Sequence, residues 1–379
     1  MASNGKQPTL VVVQLSGGND FMNTVVPFGN GLYYDARKKL GIPEDQVLQI
    51  DGQVGFNSNF APVKALYDKG HVAVIQGVGY PNSSRSHFRS MDIWHTCEPN
   101  TVATEGWLGK VVRTLDPQKS SPLTAVSIGR GLPRALSARE VPVTSVADLD
   151  SYGLMSGFNS VEQRTDALDL FKRIYTPAIG SGAVADYLAR TGIDVLRGAE
   201  MLKKAPAMYK STVEYADNPI AKALRDVARI HLAGLGTRVF YTQHGGYDTH
   251  ANEAPTHPKL LTDLSRAVSD FFQDLEDHSA ADNVVIVVFT EFGRRVRDNG
   301  SGTDHGAGGG AFLIGKHVNG GLYSEYPSLE PERLENGDLR HTYDFRGLYS
   351  TLLEQWMHID AKPIVGGTYE QLPAIAALR

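Results

Sequence analysis

Short, continuous apolar runs constrain the fold of this chain more than any other feature. The first, over residues 9–15, is rich in β-branched side chains, which is typical of a strand buried on both faces of a parallel sheet. Runs of the same kind occupy residues 72–76, 124–128, 238–242 and 284–290. Helical patterns lie between them, at residues 60–69, 87–95, 221–233, 259–277 and 343–358. Strands that alternate with helices predict an α/β domain with a mostly parallel sheet covered on both faces.

Residues 130–218 interrupt this alternation. Pro/Gly-rich loops come first, and helical patterns follow around residues 162–175 and 184–204. An open α/β sheet with insertions can reach 379 residues as one unit around one core. We therefore predict a single domain over residues 1–379, in which residues 130–218 form an insertion or cap beside the site.

Composition excludes several classes of protein. The formal net charge is −5 and no Lys/Arg run stands out, so the field that attracts proteins to nucleic acid or anionic membranes is missing. A single cysteine, Cys97, excludes an internal disulfide and a multi-cysteine metal cluster. No apolar stretch approaches the roughly 20 residues of a membrane span. The sequence therefore predicts a soluble protein without nucleic-acid or membrane partners.

Polar residues cluster directly after the predicted strands. In open α/β sheets, ligands bind beyond the carboxyl ends of the strands, so these residues are the first candidates for a site. Asp20 follows the first strand, Ser86 and His87 follow the second, and Glu291 closes the fifth. The set also includes Arg85 after the second strand, His244, Asp248 and His250 after the fourth, Arg294 after the fifth, and Asp304 and His305 in a later Gly-rich loop. We expect these loops to converge on one edge of the sheet.

Taken singly, these side chains have structural alternatives. Asp20 could stabilise a turn or cap a helix, and Asp248 and His250 could bond to backbone groups. Glu291 is harder to explain in this way, because a carboxylate that closes an apolar strand needs a cation or hydrogen-bond donors. Asp, Glu and neutral His form a ligand set that suits Zn²⁺ or Mn²⁺, with Mg²⁺ or Ca²⁺ as alternatives at an oxygen-rich position. A divalent metal site is the simplest explanation of the whole set.

The serines of residues 83–86 precede a predicted helix. The N-terminus of a helix presents free N–H groups and a partial positive charge to an anion. A serine at this position can attack phosphorus or sulfur when a metal ion lowers its pKa. Helix capping is the alternative role for Ser83, Ser84 and Ser86.

The order of these motifs resembles that of alkaline phosphatases and their relatives. It consists of an Asp after the first strand, a Ser that opens a helix, a Gly-Gly-x-Asp-x-His loop, an acid that closes an apolar strand, and a late His. More narrowly, residues 16–20, 86–88, 246–250, 290–294, 304–306 and 344–356 resemble the bacterial proteins known as domain of unknown function 1501. The resemblance spans nearly the whole chain and implies a three-layer, alkaline phosphatase-like α/β fold. Related sequences commonly carry a twin-arginine export signal, so it also implies an exported protein.

The resemblance implies two metal positions. The first corresponds to Asp248, His250 and His305, and the second to Asp20, Glu291 and the Ser86 hydroxyl. Phe292, which cannot bind metal, stands where phosphatases carry a His ligand. Either His87 or Asp304 completes the second position, or that position is weak, water-filled or empty. The loop His of phosphatases also lies farther from its Asp, so His244 competes with His250 as a ligand.

The function implied by the resemblance is metal-dependent hydrolysis of phosphate or sulfate esters. Ser86 is the predicted nucleophile with His87 beside it. Arg85, Arg294 or Arg295 is predicted to bind the outer oxygens of the anion through its forked donors. The substrate would be a small anionic ester or a sulfated or phosphorylated glycan. A non-catalytic metal- or ligand-binding protein that retains the fold is the alternative, and Phe292 is the feature that favours it.

Overall fold

A nine-stranded sheet forms the centre of the protein. The computed structural model describes residues 7–150 and 208–376, together with isolated positions between 163 and 205. The strands in chain order are β1 (Thr9–Ser16), β2 (Val25–Val26), β3 (Val47–Gln49), β4 (Gly55–Asn57), β5 (Val72–Gly79), β6 (Ala125–Ile128), β7 (Thr144–Val146), β8 (Val239–Gly245), β9 (Val284–Thr290), β10 (Gly309–Ile314), β11 (Gly321–Tyr323) and β12 (Tyr343–Asp344). Strands β2, β4 and β3 form a small separate sheet, and the other nine form the central one.

Helices cover both faces of the central sheet. They are α1 (Gly31–Ala36), α2 (Ala61–Asp68), α3 (His87–Thr96), α4 (Trp107–Leu115), α5 (Pro219–Leu232), α6 (Glu253–Asp277), α7 (Phe345–Thr351), which continues as a π-helical turn (Leu352–Trp356), and α8 (Lys362–Val365). Within the described ranges, no helix combines the length and the apolar character that crossing a membrane requires.

Strand β1 shows why the structure has three layers. Val11 and Val13 pack into an apolar cluster with α2, α5 and α6, whereas Leu10 and Val12 pack into a second cluster with α3, α4 and α7. Successive side chains of a strand point to opposite faces, so a run that is apolar at every position must be covered on both sides. The predicted three-layer α/β architecture is confirmed.

The strand directions determine where the polar loops lie. The central sheet has the order β11-β5-β10-β9-β1-β8-β6-β7, with β12 also paired to β5, and β10 is antiparallel to its neighbours β5 and β9. The described strands of this sheet otherwise run parallel. The segments that follow β1, β5, β8 and β9 therefore share one edge with the segment that precedes β10. This arrangement brings all the predicted site loops to the same edge.

Several elements differ from the prediction, including the following three. The Gly-rich sequence of β10 did not indicate a strand, although it lies between two central strands. Helix α6 begins at Glu253 rather than 259. Pro255 lies in its first turn, where the missing N–H has no intrahelical partner, and the helix continues through Pro258 in its interior. Strand β7 extends the main sheet inside the predicted insertion, 130–218. The helices predicted around residues 162–175 and 184–204 fall largely outside the described residues.

The close approach of Gly293 to the start of β10 leads to a first prediction. A Cβ atom at Gly293 would lie 2.0 Å from the carbonyl oxygen of Gly308, which is backbone and cannot rotate away. We expect Gly293→Ala to lower the free energy of unfolding by about 1–3 kcal/mol, the usual cost of overpacking. Urea denaturation measures this, and Gly52→Ala is the matched control because a Cβ there meets no atom within 4 Å. Equal stability of the two variants would contradict the packing argument.

Candidate metal centre

Three imidazole rings converge on the carboxylate of Asp248, which lies in the loop after β8. The Nε2 atoms of His305 and His250 lie 3.0 Å and 3.1 Å from Asp248 Oδ1. The Nε2 atom of His87, the first residue of α3, lies 3.4 Å from Asp248 Oδ2. His250 Nε2 and His305 Nε2 are only 2.9 Å apart. Loops that follow β5 and β8 and precede β10 thus supply four side chains to one point.

The second nitrogen of each ring explains how the rings are oriented. Each Nδ1 lies within hydrogen-bond distance of an oxygen acceptor, and each acceptor belongs to a loop at the same edge of the sheet. These contacts are 2.8 Å from His87 to Glu291 Oε1, 3.1 Å from His250 to Asp304 Oδ1, and 2.7 Å from His305 to the carbonyl of Arg85. Since these oxygens accept, each Nδ1 carries the proton, and in the neutral ring the lone pair of Nε2 faces Asp248. Metal-binding histidines are commonly held by such an acceptor on the other nitrogen.

The arrangement fits a divalent metal ion. Lone pairs of three imidazoles and a carboxylate oxygen repel one another unless a proton or a cation lies between them. The Nε2 atom of His87 is itself buried and makes no hydrogen bond to any described residue. Ligand bonds of about 2.0–2.2 Å at a tetrahedral ion hold neighbouring ligand atoms roughly 3.3 Å apart. Ligand atoms of His87, Asp248 and His305 all lie within 4.8 Å of one another, and His250 Nε2 lies 3.1 Å from Asp248 Oδ1 and 2.9 Å from His305 Nε2. A set of three nitrogens and one oxygen suits Zn²⁺ or Mn²⁺.

Arg294 fixes the position of Asp248. Its Nη2 atom donates to Asp248 Oδ1 at 2.8 Å, and its side chain is fully buried. The three guanidinium nitrogens also donate to backbone carbonyls of Gly17, Gly18, Tyr247 and Thr303. Burial alone would raise the pKa of Asp248, but the hydrogen bond from the buried guanidinium of Arg294 outweighs it and holds that pKa well below its usual range. Asp248 is therefore ionised and available to a cation.

Glu291 supports the centre from the end of β9. Its Oε1 atom accepts from the backbone N–H of Gly17 at 2.9 Å as well as from His87, and its Oε2 accepts from Thr290 Oγ1 at 3.1 Å. The bond to Glu291 is the largest cause that raises the pKa of His87. Phe292 packs under the rings, with its centroid 4.9 Å from that of His87 and 4.8 Å from that of His305. Glu291 thus orients His87, and Phe292 forms an apolar floor.

Two of the predicted ligands point elsewhere. Both oxygens of Asp20 bind the buried guanidinium of Arg37, at 2.5 Å and 3.0 Å. His244 is buried on the opposite face of β8, where its Nδ1 lies 3.0 Å from the hydroxyl of Tyr247. Burial lowers the pKa of His244 to about 4, so the ring is neutral. Of the two competing histidines, His250 is the one that faces Asp248.

The predicted catalytic residues differ in whether their polar side-chain atoms already have hydrogen-bond partners within the protein. Ser86 is exposed at the N-cap of α3, and its hydroxyl makes no capping hydrogen bond. Arg85 donates from Nε to Asp338 at 2.8 Å, while its carbonyl holds His305. All three guanidinium nitrogens of Arg294 donate to protein acceptors, so this side chain orders the loops around Asp248 and has no donor left for an anion.

Sequence reasoning missed the partners of Asp20. Arg37 precedes two lysines and has the pattern of an exposed basic stretch, yet its side chain is fully buried. Glu253, the first residue of α6, is also buried, and its charge gave no signal because acidic residues are common in first helical turns. The motifs indicate His87 as a catalytic neighbour of Ser86 and as a replacement ligand, and no spacing rule indicates that it faces Asp248.

The fold and this cluster define an α/β protein with a histidine–carboxylate centre at the carboxyl edge of its sheet. The chain belongs to the family described as Protein of unknown function (DUF1501), whose profile matches residues 73–367, most of the sequence. This confirms the family predicted from the motifs. A comparison with curated proteins found no match.

Solved structures give weaker likenesses. The PsFucS1 sulfatase from Pseudoalteromonas sp. has a TM-score of 0.41 and 13% identity, over 97% of this chain and 71% of that one. A protein in the alkaline phosphatase superfamily from Vibrio parahaemolyticus gives 0.40 and 13%, over 96% and 70%. The C-terminal periplasmic domain of EcEptC from Escherichia coli, in complex with Zn, gives 0.38 and 10%, over 96% and 84%. Likenesses at these scores carry no function over to this chain.

The contacts of Arg294 lead to a second prediction. Arg294→Gln removes donors from buried carbonyls and from Asp248, so we expect a loss of about 3–5 kcal/mol in the free energy of unfolding. The neighbouring Arg295 is 37% exposed and lies 3.6 Å from Asp338, so Arg295→Gln should change stability by less than about 1 kcal/mol. Chemical denaturation of both variants tests this. A stability of Arg294→Gln close to that of Arg295→Gln would show that the buried guanidinium is dispensable.

Proposed function

We propose that this protein is a metal-dependent hydrolase of phosphate or sulfate esters that uses Ser86 as its nucleophile. The observation that carries the proposal is the convergence of three imidazole Nε2 atoms on Asp248, each ring oriented by an acceptor at Nδ1. Such a constellation has no obvious structural use at the exposed edge of a sheet. It has a direct use as a cation site beside a reacting ester.

The residues that would hold the metal are His87, Asp248, His250 and His305. Glu291 and Asp304 would act on it through the rings they orient, as acceptors that keep the Nε2 lone pairs available. A divalent ion bound there supplies a Lewis acid that stabilises negative charge on an ester oxygen. Zn²⁺ or Mn²⁺ suits the nitrogen-rich set, whereas Mg²⁺ and Ca²⁺ favour sites made of oxygen atoms.

Ser86 is the proposed nucleophile because of its position next to His87. Its exposed hydroxyl is free of a capping hydrogen bond, and it precedes the first turn of α3, whose N–H groups lack intrahelical acceptors. In the proposed reaction, Ser86 Oγ forms a bond to phosphorus or sulfur as the ester bond to the alcohol oxygen breaks. The hydroxyl proton departs with the alcohol. Water then cleaves the seryl ester, which releases phosphate or sulfate and restores Ser86.

The substrate we propose is a small anionic ester or a sulfated or phosphorylated glycan. The first-turn N–H groups of α3 would bind the outer oxygens of the anion. Phe88, two residues after Ser86, is 91% exposed, which is unusual for a large apolar side chain. An exposed aromatic face next to the nucleophile could stack against a sugar ring or another flat alcohol group.

A non-catalytic metal-binding role is the second candidate. Phe292 favours it, because its buried ring packs against His87 and His305 where a further ligand would be expected for the hydrolase. An activity screen with phosphate monoesters, phosphate diesters and sulfate esters, each with Zn²⁺, Mn²⁺, Mg²⁺ or Ca²⁺ supplied, separates the two roles. Tight metal binding without turnover of any ester would support the second candidate.

Metal content tests the proposed ligands. We expect His250→Ala to lower the affinity for Zn²⁺ by at least 10–100-fold, since even the loss of an orienting partner has that effect. His244→Ala is the control, because His244 faces the opposite side of β8 and should leave metal binding unchanged. Competition with a chelator of known affinity gives both values. The ligand assignment is wrong if His244→Ala, and not His250→Ala, releases the metal.

Turnover tests the proposed nucleophile. Ser86→Ala should lower the rate by several orders of magnitude while the metal content stays at the wild-type level, because the hydroxyl reacts but does not hold the ion. If Ser86 only capped α3, its replacement would cost about 1 kcal/mol of stability and leave turnover unchanged. Ser83→Ala, in the same loop, is the control and should retain activity. Near-normal turnover by Ser86→Ala would exclude a covalent mechanism at this residue.

A further inference from the structure

A buried ion pair occupies the region where the second metal position was predicted. Asp20 Oδ2 binds Arg37 Nη1 at 2.5 Å and Asp20 Oδ1 binds Arg37 Nη2 at 3.0 Å. The side chains are 1% and 0% exposed. Arg37 also donates from Nε to the carbonyl of Val296 at 2.6 Å and from Nη2 to the carbonyl of Arg295 at 2.9 Å. The guanidinium is therefore enclosed between the turn after β1 and the segment after β9.

Glu253 completes this buried cluster. Its Oε2 accepts from Thr303 Oγ1 at 2.6 Å, while its buried Oε1 makes no hydrogen bond to a described residue. The carboxyl group also interacts with the charge of Asp20. Two carboxyl groups in contact share a proton, because both cannot be ionised there. Burial raises the pKa of Glu253 to about 9, and the charge of Asp20 adds to the rise. Glu253 is thus the neutral member of the pair.

The charges in this cluster cancel. Burial alone would raise the pKa of Asp20, but Arg37 outweighs it and holds that pKa well below its usual range. One carboxylate, one guanidinium and one neutral carboxyl group give a net charge of zero. A divalent cation would have to displace Arg37, which stays charged at any physiological pH and would lose all its acceptors in an enclosed space.

We infer that Arg37 takes the place of a second cation, so that the protein binds one metal ion per chain, at His87, Asp248, His250 and His305. Two further observations support this. Glu291, another predicted ligand of the second position, already accepts from Gly17, His87 and Thr290. Phe292 offers no ligand atom where a histidine was expected. The inference rests on the proposed function only for the existence of the first metal site.

Metal stoichiometry tests the inference. The purified chain is stripped with a chelator, loaded with excess Zn²⁺, desalted, and measured by elemental analysis against protein concentration. The double variant Asp248→Asn/His250→Ala gives the background of adventitious binding. We expect one Zn²⁺ per wild-type chain above this background, and still one in Asp20→Asn, because Asp20 is not a ligand.

The outcomes separate this inference from the proposed function. Two Zn²⁺ ions per wild-type chain, one of them lost in Asp20→Asn, would overturn the role of Arg37 and leave the proposed hydrolase intact. No Zn²⁺ above background would overturn the metal site and the inference with it. If Asp20→Asn does not fold, the wild-type value alone decides between one ion and two.

A matched pair of variants tests the charge assignment independently of metal. Glu253→Gln retains an acceptor for Thr303 and an N–H donor for Asp20, so a neutral Glu253 predicts an unfolding midpoint close to that of the wild type. Asp20→Asn removes the charge that compensates Arg37 and should lower the midpoint strongly. Equally severe losses in both variants would show that Glu253 carries a charge, and the cluster would then attract a further cation.

Discussion

The buried guanidinium of Arg294 is the interaction on which the arrangement of the site depends. It lies just after β9 and binds carbonyls in the turn after β1, in the loop after β8 and in the loop before β10. A guanidinium cannot lose its proton in a protein, so once buried it requires acceptors on every side. Satisfying it forces three loops that are distant in sequence into one place. Asp248 and His305 reach each other because their loops share this cation.

The turn after β1 can approach Arg294 only because it contains two glycines. Gly17 and Gly18 have φ values of +123° and +80°, a backbone conformation that residues with a side chain rarely adopt. A Cβ at Gly17 would lie 2.3 Å from the backbone nitrogen of Asp248, and one at Gly18 would lie 2.4 Å from the ring of Phe292. Larger residues at these two positions would therefore clash with the site itself, with Asp248 and Phe292. The N–H of Gly17 also donates to Glu291.

The sequence predicts structure correctly where burial alone determines it. It does not predict the role of a side chain that depends on which distant residue it pairs with. Continuous apolar runs identified β1 and β9, because a strand covered on both faces has no other composition. The alternation along β8, in which Phe240 and Tyr241 enter opposite apolar clusters, places His244 on the same face as Phe240, but only the structure shows that this face is turned away from Asp248. No comparable rule pairs Asp20 with Arg37, since the choice between a guanidinium and a metal ion depends on tertiary contacts over 17 positions.

The two buried arginines bear on how metal binding relates to folding. In small zinc domains the ion supplies the folding energy, so removing it unfolds the chain. Here Arg294 connects the turn after β1, the loop after β8 and the loop before β10, and Arg37 connects that turn to the segment after β9. Of these contacts, only the one to Asp248 Oδ1 involves a ligand atom of the proposed ion. The loops are therefore held in place before any ion binds. A site built in this way keeps its ligands oriented while the ion is absent, which favours a centre whose metal serves chemistry or binding rather than stability.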